Sequence, residues 1–266
     1  MTVTTVLRAA KYLLPNVRRY RNWSRITGAI ARGQEPNRVV LREGTVLTAP
    51  DGQNLLGLAQ EIFFQHAYTA GEWAIGEHDV VVDIGANVGV FTVFVAKRTR
   101  NRVIACEPFP ENVRFLIENL RANHLEQVTV AAVAVSDHVG TSKLFLSEKT
   151  GGHLLFDHNI KGRLDRFLEV PTTTLPCLMD DQRLNQIDLL KLDCEGSEGM
   201  ILTTTPRPYL QRIRRLVMEF HDNVSQPDHA GLQRLLEDAG FSTTLKWDGA
   251  SPFGYLYATR NEPPRA

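Results

Sequence analysis

Five short apolar runs in this chain each stop on a polar cluster, and helical patterns separate most of them. Val80-Val81-Val82 ends at Asp83, Arg102 to Cys106 at Glu107, and Val128 to Val135 at Ser136-Asp137. Ile187 to Leu192 ends at Asp193, and Leu216 to Phe220 runs into His221-Asp222. Apolar runs of this length suit strands buried on both faces, and their alternation with helices suits a doubly wound parallel sheet. In such a sheet ligands bind beyond the carboxyl ends of the strands. The polar clusters stand at those ends, so Asp83–Gly85, Glu107, Ser136-Asp137, Asp193–Glu195 and Glu219–His221 define the expected site.

The intervening segments carry helical spacing. After the first strand, Val88, Phe91 and Val95 share one face and Val90, Val93 and Phe94 another. Pro110 suits a first helical position, followed by the stripe Val113, Leu116, Ile117 and Leu120, with Arg114 and Glu118 paired on the outside. Leu232, Leu235, Leu236 and Ala239 mark a late helix that Gly240 stops. Phe241 to Trp247 and Tyr255 to Thr259 read as a terminal antiparallel pair. Between Gly140 and Asp181 the pattern is irregular, and an insertion or lid is expected there.

A length of 266 residues with 43% hydrophobic content accommodates one α/β domain and a modest extension. The 30 basic and 30 acidic residues cancel, which argues against a polyanion-seeking surface, so no nucleic-acid partner is expected. Three cysteines without CxxC spacing exclude a disulfide framework and a structural zinc site, and a cytoplasmic setting follows. Arg8 and Lys11 interrupt the apolar start from Val3 to Leu14, so neither a signal peptide nor a transmembrane span is expected. Residues 1–42 hold nine Lys/Arg against the single acid Glu35. Val6, Leu7, Ala10, Leu13, Leu14 and Val17 give this basic extension a partly helical, amphipathic pattern. It packs on the domain or on a second copy, making a homodimer, or meets an acidic partner or membrane surface. The turn-like Gly33 to Asn37 closes it, and the main domain is expected over 43–266.

The first strand leads into Asp83-Ile84-Gly85-Ala86-Asn87-Val88-Gly89. Gly85 and Gly89 permit a tight turn and close backbone approach. Glu107 follows Gly85 by 22 residues, where a carboxylate accepts ribose hydroxyls. A dinucleotide site asks for GxGxxG, but these glycines are spaced GxxxG, and no GxxxxGK[ST] phosphate loop occurs. An adenosine cofactor with an amino-acid tail and no pyrophosphate fits better.

DIGANVG, CEPFPENVRFLIENL, AVSD, LLKLDCEGSE and VMEFHD, in this order, resemble the FkbM family of methyltransferases over roughly Glu72 to Phe241. The resemblance implies a class I methyltransferase fold, a Rossmann-like three-layer α/β sandwich whose seven-stranded, mostly parallel sheet has an antiparallel last strand. It implies S-adenosyl-L-methionine as methyl donor, and a hydroxyl on a sugar, polyketide or other small natural product as acceptor. Matched position by position, Asp83, Gly85, Asn87 and Gly89 correspond to the cofactor turn, Glu107 to the ribose acid, and Ser136 and Asp137 to the adenine side. Glu72 corresponds to an acid near the methionine end, although Gly71-Glu72-Trp73 departs from the more usual Tyr-Glu. Asp193, Glu195, Glu219 and His221 correspond to the family's polar strand ends.

Methyl transfer from a sulfonium is an in-line displacement that needs alignment, exclusion of water and an acceptor for one proton. His221 titrates in the useful range and is the first candidate base, with Asp193 or Glu195 as the alternative or as its orienting group. Asp193, Glu219 and His221 would suit a divalent metal if their strands converge, but spacing alone does not predict one. His153 and His158, near the glycines at 151 and 152, either line the acceptor pocket or are solvated. Methylation of nucleic-acid amino groups is disfavoured because Asp193-Cys194-Glu195-Gly196 stands where a [DNS]PP[YFW] motif belongs. An oxidoreductase is disfavoured by the glycine spacing, and a non-catalytic scaffold by the intact polar strand ends.

Overall fold

A computed structural model describes residues 15–146 and 166–261. Helix α1 (Trp23–Ala31) leads into an antiparallel hairpin of β1 (Arg38–Val40) and β2 (Val46–Thr48). Helix α2 (Leu55–Gln60) is capped by Asn54, whose side chain accepts from the Gly57 N–H, and it continues into a π-type turn over Glu61–Gln65. The alternation read from the sequence then begins: β3 (Val81–Ile84), α3 (Val90–Ala96), β4 (Val103–Cys106), α4 (Pro110–Ala122) and β5 (Val128–Ala131). Pro110 stands in the first turn of α4, and Arg114 Nη1 lies 3.1 Å from Glu118 Oε1 on its exposed side.

Next come β6 (Ala134–Ser136), β7 (Gly140–Phe145), β8 (Phe167–Thr174) and α5 (Leu175–Asp181). The chain ends through β9 (Ile187–Leu192), α6 (Glu198–Thr204), α7 (Arg207–Leu210), β10 (Ile213–His221), α8 (His229–Asp238), β11 (Phe241–Lys246) and β12 (Phe253–Arg260). The central sheet runs β11-β12-β10-β9-β3-β4-β5. Its strands β5, β4, β3, β9 and β10 are parallel, while β12 enters antiparallel between β10 and β11. This is the seven-stranded, three-layer α/β sheet expected.

Each face of the sheet has its own core. Val81, Val103, Ala105, Leu189, Val217 and Tyr257 pack with α1, α2, α3 and α4, while Val82, Ile84, Ile104, Leu190, Leu192, Met218 and Phe220 pack with α5, α6 and α8. The alternation follows from the two-residue period of a strand.

Three expectations change. The run from Val128 to Val135 is two strands, not one. The chain leaves the central sheet after Ala131, and β6 instead joins a three-stranded sheet with β8 and β7. The segment from Gly140 is regular where described, since β7 and β8 pair antiparallel through Gly140↔Thr172 to Phe145↔Phe167. Its middle, with His153 and His158, lies outside the described residues. The division expected at 42/43 falls inside the β1–β2 hairpin. Tyr20 and Ile26, from the basic extension, are fully buried in the core shared with α2, α3 and α4. The extension as described from residue 15 therefore packs on the domain. The amphipathic pattern from Val6 to Leu14 lies outside the described residues.

Candidate active site

Strand register builds the site. Val82 pairs with Leu190 and Met218 with Leu192, which sets Asp83 beside Lys191 and Asp193 beside Glu219 at the carboxyl ends of the parallel strands. Side chains two residues apart on a strand share a face. Asp83, Lys191, Asp193, Glu219 and His221 therefore continue, in polar form, the face that carries Val81, Leu189 and Val217 one step earlier.

A cavity of about 290 Å³ opens there. Gly85, Ala86 and Asn87 line it from the turn after β3, Glu107 and Pro108 from the end of β4, and Val133 to Val135 from the lead into β6. Lys191, Asp193, Cys194, Glu195 and Glu219 close it from β9 and β10. Gln53, Leu58, Glu61 and Tyr68, from the segment before β3, form the remaining wall.

Glu107 is held from three sides: Oε2 accepts from the Asn87 N–H at 2.8 Å, and Oε1 from the Phe109 N–H at 2.9 Å and Asn112 Nδ2 at 3.3 Å. Burial raises its pKa, and those hydrogen bonds pull back towards the carboxylate. A carboxylate has about four acceptor positions, so one remains for a ligand hydroxyl. Asn87 sits at φ 52°, and its side-chain oxygen accepts from Gln53 Nε2 at 2.6 Å, tying the turn to the N-terminal wall.

The two glycines act differently from the expectation. At Gly85 (φ +78°) a Cβ would stand 1.8 Å from the Asp193 carbonyl oxygen, and at Gly89 (φ +83°) 2.3 Å from the Leu116 side chain. Each lets two parts of the protein close on one another, and Gly89 does not line the cavity. Asp83 is likewise structural: it is fully buried, accepts from the Thr92 hydroxyl at 2.6 Å and pairs with Lys191 Nζ at 3.1 Å.

Lys191 is a charged site residue absent from the expected set. Its ammonium also donates to the Gly85 carbonyl at 2.9 Å and lies 3.4 Å from Asp193 Oδ2. Burial disfavours its charge, but Asp83 and Asp193 outweigh that and raise its pKa above the ordinary lysine value. The signal was a lysine inside the buried run LLKLD, where a charge persists only if paired.

Beyond Lys191 the cavity is acidic. The Tyr68 hydroxyl donates to Asp193 Oδ2 at 3.1 Å and lies 3.4 Å from Glu219 Oε2, so it bridges the two carboxylates. Tyr255 donates to Glu61 at 2.6 Å. Burial, then the nearby Asp193, raises Glu195 to about 7 and Glu219 to about 8. Burial works against the charge of His221, but Glu198, Glu195 and Asp193 override it and lift the pKa to about 10. His221 Nδ1 faces Glu198 at 3.4 Å, and Nε2 faces Glu195 at 3.7 Å. The enclosing carboxylates favour the protonated ring, which argues against His221 as a free base. Glu195 (φ 54°) and Gly196 (φ 105°) both adopt left-handed backbone, which turns the chain sharply at the end of β9.

Other assignments move as well. Glu72 is exposed in a 3-10 turn at the opposite end of the sheet, beside Arg215 and Asp79, and does not reach the cavity. Glu61 is the acid that lines it on the N-terminal side. Ser136 is buried and Asp137 exposed, and neither lines the cavity, whereas Val133 to Val135 do. The site thus unites Gly85, Asn87, Glu107, Asp193 and Glu195 with His221 at its edge.

Residues 83–243 match the model of the methyltransferase FkbM domain. The chain belongs to the FkbM family of methyltransferases. It is 30% identical over 196 residues to the 31-O-demethyl-FK506 methyltransferase FkbM of Streptomyces tacrolimicus, covering 62% of this chain and 74% of that protein. It is 28% identical over 246 residues to the antimetabolite synthetase AmbE of Pseudomonas aeruginosa, matching 75% of this chain but spanning only 12% of that much longer protein. A crystal structure of a methyltransferase FkbM from Methylobacillus flagellatus shares the fold, with a TM-score of 0.52 and 14% identity, covering 96% of this chain and 60% of that one. Among the described residues no helix is long and apolar enough to cross a membrane.

Proposed function

We propose that this methyltransferase uses S-adenosyl-L-methionine to methylate an oxygen, a hydroxyl on a sugar, polyketide or other small natural product. The observation that carries the cofactor is the imbalance of charge in the cavity. Among the described residues, five acidic side chains (Glu61, Glu107, Asp193, Glu195 and Glu219) line it against one cation, Lys191, with His221 beside them, and a cationic ligand would release the protons that burial favours on them. An acidic, partly desolvated site favours a cationic ligand. Glu107 supplies the acceptor for ribose hydroxyls, as in other nucleoside sites at strand ends. Val133 to Val135 offer an apolar wall for the base, and Glu61, Lys191 and Asp193 suit an amino-acid tail carrying both charges.

Bound there, S-adenosylmethionine supplies a methyl group on a positively charged sulfur. The protein's own work is placement and proton transfer. Tyr68 and Lys191 fix Asp193, the turn at Glu195-Gly196 points Glu195 at the cavity, and His221 holds Glu195 by charge. Glu195 takes the acceptor hydroxyl's proton in this reading, with His221 as its positioning partner. The oxygen acceptor draws support from the FK506 methyltransferase relative, whose name states an O-methylation. A small-molecule or glycan acceptor also suits the modest cavity volume.

Calorimetry with S-adenosylmethionine and with NAD tests the cofactor: saturable binding of the first and none of the second is expected. No sulfonium binding would overturn the reading. A methyl-transfer screen over sugars, hydroxylated polyketides, phenols and carboxylic acids tests the acceptor. With a substrate in hand, Glu195→Gln should slow turnover by roughly 10²–10⁴-fold with cofactor binding retained.

A further inference from the structure

We infer that Asp193, Glu219 and His221 form a binding site for one divalent cation, Mn2+ ahead of Mg2+. One donor atom from each lies within 4.8 Å of the others. Oxygen ligands stand ~2.0–2.6 Å from such ions, so two donors on one ion are at most ~4.0–5.2 Å apart, a span that contains the separation of the three donors here. The three meet that limit through register, not through chance proximity of surface acids. Asp193 follows Leu192, the partner of Met218, and Glu219 and His221 lie on one face of β10. Two carboxylates with one imidazole suit a first-row ion better than magnesium, which prefers an all-oxygen shell.

Glu198, buried against the far side of the His221 ring, supports the assignment. Glu198 is fully buried, and its Oε1 lies 3.4 Å from His221 Nδ1. Its Oε2 is buried without a hydrogen-bond partner among the described residues. The Cys194 N–H donates to Oε1 and fixes the carboxylate behind the ring. Histidines on metals commonly turn their other ring nitrogen to a carboxylate, which sets the tautomer and aims the free nitrogen at the ion. Here that leaves Nε2 for the cation, which on binding takes the place of the Nε2 proton that faces Glu195 in the metal-free site. Lys191 is the opposing charge closest to Asp193, but it lies between Asp193 and Asp83 and pairs more closely with Asp83.

Three protein ligands leave coordination positions towards the cavity that Asp193 and Glu219 line. An acceptor hydroxyl bound there would be acidified by the ion, and its proton would pass to Glu195 as the oxygen attacks the methyl carbon and the S–CH3 bond breaks, its electron pair leaving on the sulfur of S-adenosylhomocysteine. This role rests on the methyl-transfer reading above, whereas the binding site itself does not.

The test is binding of Mn2+ to the full chain after EDTA treatment, by calorimetry and by loss of the free-ion EPR signal. One saturable Mn2+ per chain is expected. Glu219→Gln and His221→Gln should each weaken it at least tenfold, and Glu198→Gln by ~10–100-fold although that residue does not touch the ion. Circular dichroism and a thermal melt establish that each variant is folded. Should His221→Gln fail to fold, Glu219→Gln decides. No saturable binding, or binding that Glu219→Gln leaves unchanged, overturns the site. S-adenosylmethionine binding is measured in the same samples, so loss of the cofactor reading and loss of the cation site are separate results.

Discussion

Along β9, the residues in the core with α5 and α6 run Leu190 to Leu192, both fully buried, whereas those on the opposite face run Leu189, Lys191, Asp193. The same contrast recurs next door. On β10, Met218 and Phe220 stay apolar to the strand end while Val217 gives way to Glu219 and His221. One face of the sheet is built for cohesion throughout. The other spends its first half on cohesion and its last residues on charge, and those charged residues line the cavity that Ile84, Cys106 and Val135 touch from the apolar face. The difference teaches that the site is continuous with the core, so its charges must be paired before any ligand arrives.

Lys191→Met should break that pairing most severely. It leaves Asp83, fully buried, without its cation, and losing one partner of a buried pair costs ~3–5 kcal/mol. Urea unfolding measures this, and a loss below ~1 kcal/mol would show that the polar face does not need its lysine. Leu190→Ala attacks the other face. A cavity-forming loss of ~2–5 kcal/mol is expected there, with cofactor affinity unchanged once the variant is folded. If affinity also falls, the faces are not separable.

Glu107→Ala sharpens the comparison on β4, where the carboxylate follows directly on Cys106 of the apolar face. Losing a charged hydrogen-bond acceptor costs ~1.5–3 kcal/mol of binding, roughly a 10–100-fold weakening towards S-adenosylmethionine by calorimetry. Unaltered affinity would remove Glu107 from the ribose position. The smallest effect concerns Tyr20, buried in the core of the mixed face with its pKa raised to about 12 by burial, against which Arg19 acts weakly. The unfolded tyrosine ionises near pH 10, so the folded state keeps its proton over a window in which the unfolded state loses it. Stability is therefore intact below pH 10 and falls as pH rises towards 12, by roughly 1 kcal/mol between pH 10 and 11. Urea melts across that range should show a slope that Tyr20→Phe flattens.

Much of this was legible in the sequence because strand ends declare themselves. Asp83, Glu107, Asp193 and His221 each interrupt an apolar run, and each stands where the run predicts. The order of β3, β4, β9 and β10 and the start of α4 at Pro110 followed from the same alternation. The division of Val128–Val135 was not legible, since one apolar run serves either one long strand or two short ones in different sheets. Glu72 was misplaced for a related reason: chain distance from β3 does not reveal which end of the sheet a preceding acid reaches. Glu61 and Tyr68 left no motif, because they arrive through α2 and its π-type turn, and only packing brings them over the strand ends. The role of His221 depended on Glu198, whose burial no spacing rule announces.

The wall made by Gln53, Glu61 and Tyr68 has a consequence for transplanting this domain. A fragment confined to residues 83–243 would retain β4, β9 and β10 and only half of β3, yet surrender the hydrogen bonds that join Asn87 to Gln53 and Asp193 to Tyr68. It would also forgo Tyr255, which anchors Glu61 from β12. Anyone grafting this domain into a larger assembly must therefore carry the cargo on both flanks, because the centre alone is a floor without its walls.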